Sequence, residues 1–123
     1  MTNTPKALYD ILKNGDAADL VTDISPYVRD RNADFPALVY EVPNETFERT
    51  STGYVRSQAD ATVSVVARGA AEAETIADAL FDDLSAAACV VVDSITREYD
   101  QSYDGSSAGI YQVTLNIILT QGA

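Results

Sequence analysis

Two stretches of the chain alternate between apolar and polar residues, which is the pattern of a β-strand with one buried face. The first covers residues 59–68 and the second covers residues 111–120. The apolar sides consist of Ala59, Ala61, Val63, Val65 and Ala67 in the first stretch and Tyr111, Val113, Leu115, Ile117 and Leu119 in the second. The alanines are small, so we expect a helix to pack closely against the first strand.

Two other stretches repeat their apolar residues with the period of a helix. The first predicted helix runs from Pro5 to Asn14, with Thr4 as its N-terminal cap, Pro5 at the first helical position and Gly15 as its stop. The second predicted helix follows Gly69. Its apolar positions are Ala73, Ile76, Ala77, Leu80, Leu84, Ala87 and Ala88.

Shorter signals lie between these elements. Residues 24–28, 37–42, 45–50 and 90–96 are predicted strands, and the second is closed by Pro43-Asn44. We expect a hairpin turn at 51–53 and polar loops at 29–36 and 99–108. The acidic segment 16–23 is predicted to form a short turn anchored by Leu20 and Val21.

This order of elements predicts an α+β fold within a single domain, residues 1–123. Hairpin-like connections favour a mainly antiparallel sheet, with an N-terminal helix and a long helix packed on one face. The predicted core consists of Leu8, Leu12, Val63, Val65, Ile76, Leu80, Leu84, Val113, Leu115 and Ile117.

The charge of the chain excludes two classes of partner. Its 19 Asp and Glu outnumber its 8 Lys and Arg, giving a formal net charge of −11. Arg29 and Arg31 are the closest basic pair, and Asp30 separates them. A chain without a basic face is not expected to bind nucleic acid directly or to associate with an anionic membrane. A basic protein partner and simple solubility both remain compatible with this charge.

The long predicted helix concentrates the acidic residues. Glu74, Asp78 and Asp82 follow one another at i, i+4 spacing, where like charges cost about 0.2–0.5 kcal/mol per pair. Glu72 and Asp83 add to the same helix. Either this face is only solvated, or it repels DNA or meets a basic partner.

The chemistry of common enzymes is missing. The chain has no histidine and one cysteine, Cys89, which excludes Ser–His and Cys–His nucleophiles, His/Cys zinc sites and an intramolecular disulfide. There is no Walker loop or dinucleotide-binding motif. We therefore predict no catalytic, cofactor-binding or metal-binding residues and no enzymatic activity. Cys89 is expected to be a small buried side chain, with a reactive thiol as the alternative.

Targeting signals are missing as well. The first residues lack the charged and apolar regions of a signal peptide. No apolar run approaches the roughly 20 residues that a membrane-spanning helix needs. We expect a soluble protein that is made in the cytoplasm.

One segment imitates a calcium loop. Asp100, Ser102 and Asp104 followed by Gly105 match its first half, but Tyr111 stands where a bidentate Glu is needed. We predict a polar loop that binds no calcium. A metal-binding module on this loop, or a small carboxylate-based enzyme, is the alternative of a different class.

Aromatic and basic residues near the predicted turns are candidates for protein contacts, because tyrosine and arginine are enriched at interfaces. Tyr40 and Tyr111 lie inside strands and are expected to be structural. The predicted interface residues are Arg49, Tyr54, Arg56, Tyr99 and Tyr103.

Four stretches carry a resemblance to a known family. They are an opening helix at 5–12, the strand Phe35-Pro-Ala-Leu-Val-Tyr-Glu-Val42, a long strand and helix at 59–84 containing Ala-Glu-Ala-Glu-x-x-Ala-Asp-Ala-Leu, and a closing strand at 111–119. Their order and spacing resemble the tail-completion or tail-terminator proteins of long-tailed bacteriophages and gene-transfer particles. The acidic long helix departs from relatives that often carry Arg or Lys there.

The resemblance implies a structural virion protein that forms a ring, commonly hexameric, on the head-proximal end of the tail tube. Such a ring ends tube polymerisation and offers a docking surface for the head. Its partners would be further copies of itself, the tail tube protein and a head–tail connector or neck protein, and DNA would pass through its channel. A neck adaptor or a tube subunit of the same virion is the alternative within this class.

Overall fold

The computed structural model describes residues 4–26, 36–49, 55–100 and 110–122 of the chain. A five-residue 3₁₀ helix, Asp16–Leu20, follows the first α-helix. The other elements, in chain order, are α1 (Thr4–Asn14), β1 (Asp23–Pro26), β2 (Ala37–Arg49), β3 (Val55–Ala67), α2 (Ala70–Ala86), β4 (Val90–Asp100) and β5 (Ile110–Gly122).

The strands form one sheet in the order β1-β2-β3-β5-β4. Every neighbouring pair is antiparallel except β1 and β2, which are parallel. The two strands with alternating residues are neighbours, so that Val63 lies opposite Leu115 and Val65 opposite Val113. The predicted α+β class and the mainly antiparallel sheet are confirmed.

Both helices contact the same side of the sheet that carries the alternating apolar residues. α2 packs on β3, β4 and β5, and α1 packs on β1 and β2. Each residue of the predicted core is buried, including Leu80 and Leu84 of α2, which have no solvent-exposed surface. Ala59 and Ala61 of β3 are buried in the same cluster, as the predicted close approach of a helix requires.

The opposite face of the sheet is largely polar. The Ser64 and Thr114 hydroxyls lie 2.9 Å apart, and the Asn116 amide donates to the Ser94 hydroxyl at 3.0 Å. Cross-strand hydrogen bonds of this kind stabilise neighbouring strands without an apolar layer above them.

Two predicted strand boundaries were wrong. β2 continues through Pro43, where the prediction ended one strand and began another, because a β-bulge between Glu41 and Asn44 interrupts the ladder there. Proline has no N–H to donate to a neighbouring strand, but a residue inside a bulge is not required to donate one, so the strand can include Pro43. β4 extends to Asp100 rather than ending at residue 96, since Tyr99 pairs with Tyr111 and thus belongs to the strand.

Smaller corrections concern the helices. Thr4 is the first residue of α1, and its hydroxyl donates to the Glu45 carboxylate at 2.6 Å. α2 ends at Ala86, although the apolar pattern predicted that the helix continues through Ala87 and Ala88. In the acidic segment the buried residue is Ala17, whereas Leu20, a predicted anchor, is 44% exposed. Residue Val28, the predicted end of β1, lies outside the described residues.

Candidate interaction surfaces

The predicted interface residues do not form one surface. Arg49 is exposed at the end of β2, and Arg56 follows in the paired strand β3. Tyr99 lies near the end of β4, at the opposite end of the sheet, because it pairs with the second residue of β5. Tyr54 and Tyr103 lie outside the described residues.

One carboxylate of the acidic helix has a structural task. Asp83 accepts hydrogen bonds from the backbone N–H groups of Asp16 and Ala17, each at 2.9 Å. These groups begin the 3₁₀ helix, whose N-cap, Gly15, has no side chain to satisfy them. A methyl group on Gly15 would overlap the Asp83 carboxylate, so this glycine gives the carboxylate room. No local sequence signal indicates the contact, because its partners are 66 and 67 positions apart.

A second carboxylate of the same helix is paired. The Arg97 guanidinium donates to Glu74 at 2.6 Å from Nε and at 3.3 Å from Nη2, which ties α2 to β4. This hydrogen bond, more than the charge alone, lowers the pKa of Glu74. Both side chains are largely exposed, so the pair adds little to the stability of the fold.

Glu72, Asp78 and Asp82 are the other carboxylates of α2, and all are exposed. They lie on the outer side of the helix together with Phe81, which is 41% exposed. The carboxylates of α2 therefore differ in their surroundings: Asp83 caps the 3₁₀ helix, Glu74 pairs with Arg97, and the other three face solvent.

A cavity of about 310 Å³ opens between the first turn of α2 and strands β4 and β5. Its lining includes Ala70, Ala73, the Glu74–Arg97 pair and Val113. Across the described parts of the chain, no three His, Cys, Asp or Glu side chains are grouped so that they could hold a metal ion.

Comparison with known proteins shows the family to which the chain belongs. The sequence profile of the family Tail completion protein gp17 matches residues 6–121. The chain belongs to this family. No curated protein sequence matches it. A chain in the virion of a native gene transfer agent (GTA) particle has a similar fold, with a TM-score of 0.58 and 17% sequence identity over 94% of this chain and 92% of that chain.

Membership in the tail completion family makes the chain a structural component of the tail of a phage or phage-like particle, as the resemblance in the sequence indicated. None of the helices in the described ranges is long and apolar enough to cross a membrane. Cys89, a candidate reactive thiol, is half-buried and packs against the core.

A structural component of a particle tail assembles with other proteins, and large apolar side chains are exposed at both borders of the sheet. Phe47 of β2 is 51% exposed, and Val91 and Ile95 of β4 are 62% and 38% exposed. The predicted interface residues do not include these three, because the prediction was limited to tyrosines and arginines near the predicted turns.

Proposed function

We propose that this protein forms a ring on the head-proximal end of the tail tube, where it ends tube polymerisation and provides the surface to which the head docks. The observation that carries the proposal is the match of the tail completion family across residues 6–121. The fold shared with a chain of a gene transfer agent virion supports it. We expect six copies in the ring.

The sheet gives a physical reason for a ring. A sheet with unpaired border strands exposes N–H and C=O groups that natural proteins cover. Contacts between different surfaces of identical subunits produce either an open fibre or, if the rotation closes, a ring. A closed ring covers both borders of every sheet and leaves no border to which a further copy could add.

The charge fits a ring through which DNA passes. Six copies at −11 each carry a formal charge of −66. We propose that part of this charge lines the channel, so that DNA is repelled from the wall and slides through it. DNA would thus pass through the channel without sequence-specific binding to the chain.

The partners in this account are all proteins. They are the neighbouring copies in the ring, the tail tube protein below it and a head–tail connector or neck protein above it. The protein acts by assembly, without catalysis and without a cofactor.

Tube growth in solution tests this function. Purified tube subunits are polymerised with increasing amounts of the protein, and tube lengths are measured by electron microscopy. We expect elongation to stop once the copies suffice to cover the tube ends, and the stopped tubes to bind heads. Tubes that grow unchanged but join heads only when the protein is present would indicate a neck adaptor instead. Copolymerisation along the tube would indicate a tube subunit.

A further inference from the structure

The two borders of the sheet are open over different lengths. β1 pairs only with Ala37–Tyr40 of β2, and no other described strand pairs with this side of β2 as far as Arg49. At the opposite border, the outer side of β4 is without a described partner strand along Val90–Asp100. Among the described residues, each copy therefore has a strand segment without a partner strand at both borders, and such segments add further strands readily.

The strand directions suit these two segments to each other. β2 is antiparallel to β3, β3 to β5, and β5 to β4, so β4 runs opposite to β2. When sheets follow one another around a ring, the β4 of one copy meets the β2 of the next. The two strands are then antiparallel, which is the slightly more stable arrangement per residue.

Exposed apolar side chains lie on matching faces at these borders. Phe47 is opposite Ser57 and Ile95 is opposite Leu115, which places both on the face of the sheet that carries the helices. Rotational symmetry keeps that face on the same side of every copy. A contact between the borders would therefore bring Phe47 of one copy to Ile95 of the next and bury two side chains that a lone copy exposes.

One pair of opposite charges also lies at the two borders. Arg49 is exposed at the end of β2, and Asp93 is exposed at the bulge between Val92 and Ser94 of β4. The short strand β1 contains Pro26, which lacks an N–H, and blocks the rest of that border. Among the described residues, the opening left by β1 is residues 44–49 of β2, and residues 93–98 of β4 match it in length.

We propose that residues 93–98 of β4 pair antiparallel with residues 44–49 of β2 in the next copy, so that Phe47 packs on Ile95. This interface rests on the proposed ring and names the surfaces that close it. A second copy is the occupant because both halves of the contact, apolar and charged, lie on the same chain.

Engineered cysteines test the contact. In a Cys89→Ser background, Phe47→Cys is combined with Ile95→Cys. Within one copy these positions are three strand spacings, roughly 14 Å, apart across the sheet and are further separated along the strands, which is too far for a disulfide. The matched control combines Phe47→Cys with Ser94→Cys, whose side chain lies on the opposite face. Mild oxidation of assembled tails should give a ladder of disulfide-linked multiples of the 13.2 kDa chain. The control pair should give about tenfold less cross-linked product.

The outcomes separate the interface from the function. Stopped tubes that carry the protein at their ends, but give no ladder or give equal ladders from both pairs, would overturn the interface and leave the ring intact. Tails that lack the protein at their ends would overturn both.

A charge substitution gives an independent readout. Ile95→Lys should reduce the number of stopped, head-joined tails about tenfold while thermal unfolding of the isolated protein stays unchanged. Ser94→Lys, next to it on the other face, should reduce them far less. Normal assembly with folded Ile95→Lys protein would contradict the contact.

Discussion

Gly15, the N-cap of the 3₁₀ helix, has no side chain that could accept a hydrogen bond. Asp83, which is distant in the sequence, accepts hydrogen bonds from the first N–H groups of this helix instead. Asp83→Ala leaves the N–H groups of Asp16 and Ala17 without this acceptor, and we expect it to lower the free energy of unfolding by about 1–2 kcal/mol. Denaturant unfolding measures the change. Asp82→Ala, at an exposed position of the same helix, is the matched control and should cost much less.

Gly15 makes the account of Asp83 more specific. Gly15→Ala should destabilise the natural protein, since its new methyl group meets the Asp83 carboxylate. In the Asp83→Ala background most of that cost should disappear, and a double-mutant cycle measures the difference. Equal costs in both backgrounds would show that the glycine is needed for another reason.

Leu80 represents the buried stripe of α2. It has no exposed surface, so Leu80→Ala removes core contacts and leaves a cavity, at an expected cost of about 2–5 kcal/mol. The midpoint of denaturant unfolding should fall accordingly, whereas Ser85→Ala on the exposed side should barely move it. An unchanged midpoint for Leu80→Ala would mean that this side of the helix does not face the core.

The Glu74–Arg97 pair predicts a small dependence of stability on pH. Because the hydrogen bond from Arg97 lowers the pKa of Glu74, its contribution is present above the ordinary value of 4.5 and is lost as the pH falls below that value towards the lowered pKa. The stability difference between the natural protein and Glu74→Gln should shrink in that range and in high salt. Glu72→Gln, on the exposed side, is the control. A difference that grows as the pH falls would contradict the sign.

At the scale of elements, the segment that imitates a calcium loop connects two antiparallel strands. Asp100 is the last residue of β4 and pairs with Ile110, the first residue of β5. A calcium loop of the EF-hand type lies between two helices and ends in a bidentate Glu, and here that position is Tyr111, inside β5. We expect calorimetry to detect no calcium binding at micromolar concentrations. Micromolar affinity would revive the metal-binding alternative.

The elements with a regular period were predictable, and those fixed by distant partners were not. The alternation of β3 and β5 and the apolar stripe of α2 indicated both the fold and its core. The passage of β2 through Pro43 depends on a bulge that only the pairing with β3 reveals. Likewise, the acceptor for the 3₁₀ helix lies on α2, where a local pattern cannot show it.

The candidate interface residues also divide into those that the local sequence indicated and those that depend on distant parts of the chain. Proximity to the predicted turns indicated Arg49, Arg56 and Tyr99, but no local pattern indicated that Phe47 and Ile95 are exposed. They are exposed because the helices do not cover the borders of the sheet at these positions, which depends on how long α1 and α2 are and where they cross the strands. The local sequence determines which face of the sheet a side chain occupies, whereas elements that are distant in the sequence determine whether it is covered.

At the scale of the whole molecule, family membership, the acidic charge and the two open borders of the sheet agree with a role in assembly. The family makes the protein a tail component. The charge disfavours direct binding to DNA, and the borders provide segments through which identical copies can join. Together these features support a closed ring that ends the tube.

Tail length in particles assembled with and without this protein tests that central claim most directly. Particles are produced from a genome that does not express this protein, and the natural protein is either supplied from a separate gene or left out. Tail lengths are then measured by electron microscopy. We predict tails of uniform length joined to heads when the chain is present, and overgrown tubes without heads when it is missing. Tails of normal length that still join heads in its absence would contradict the account.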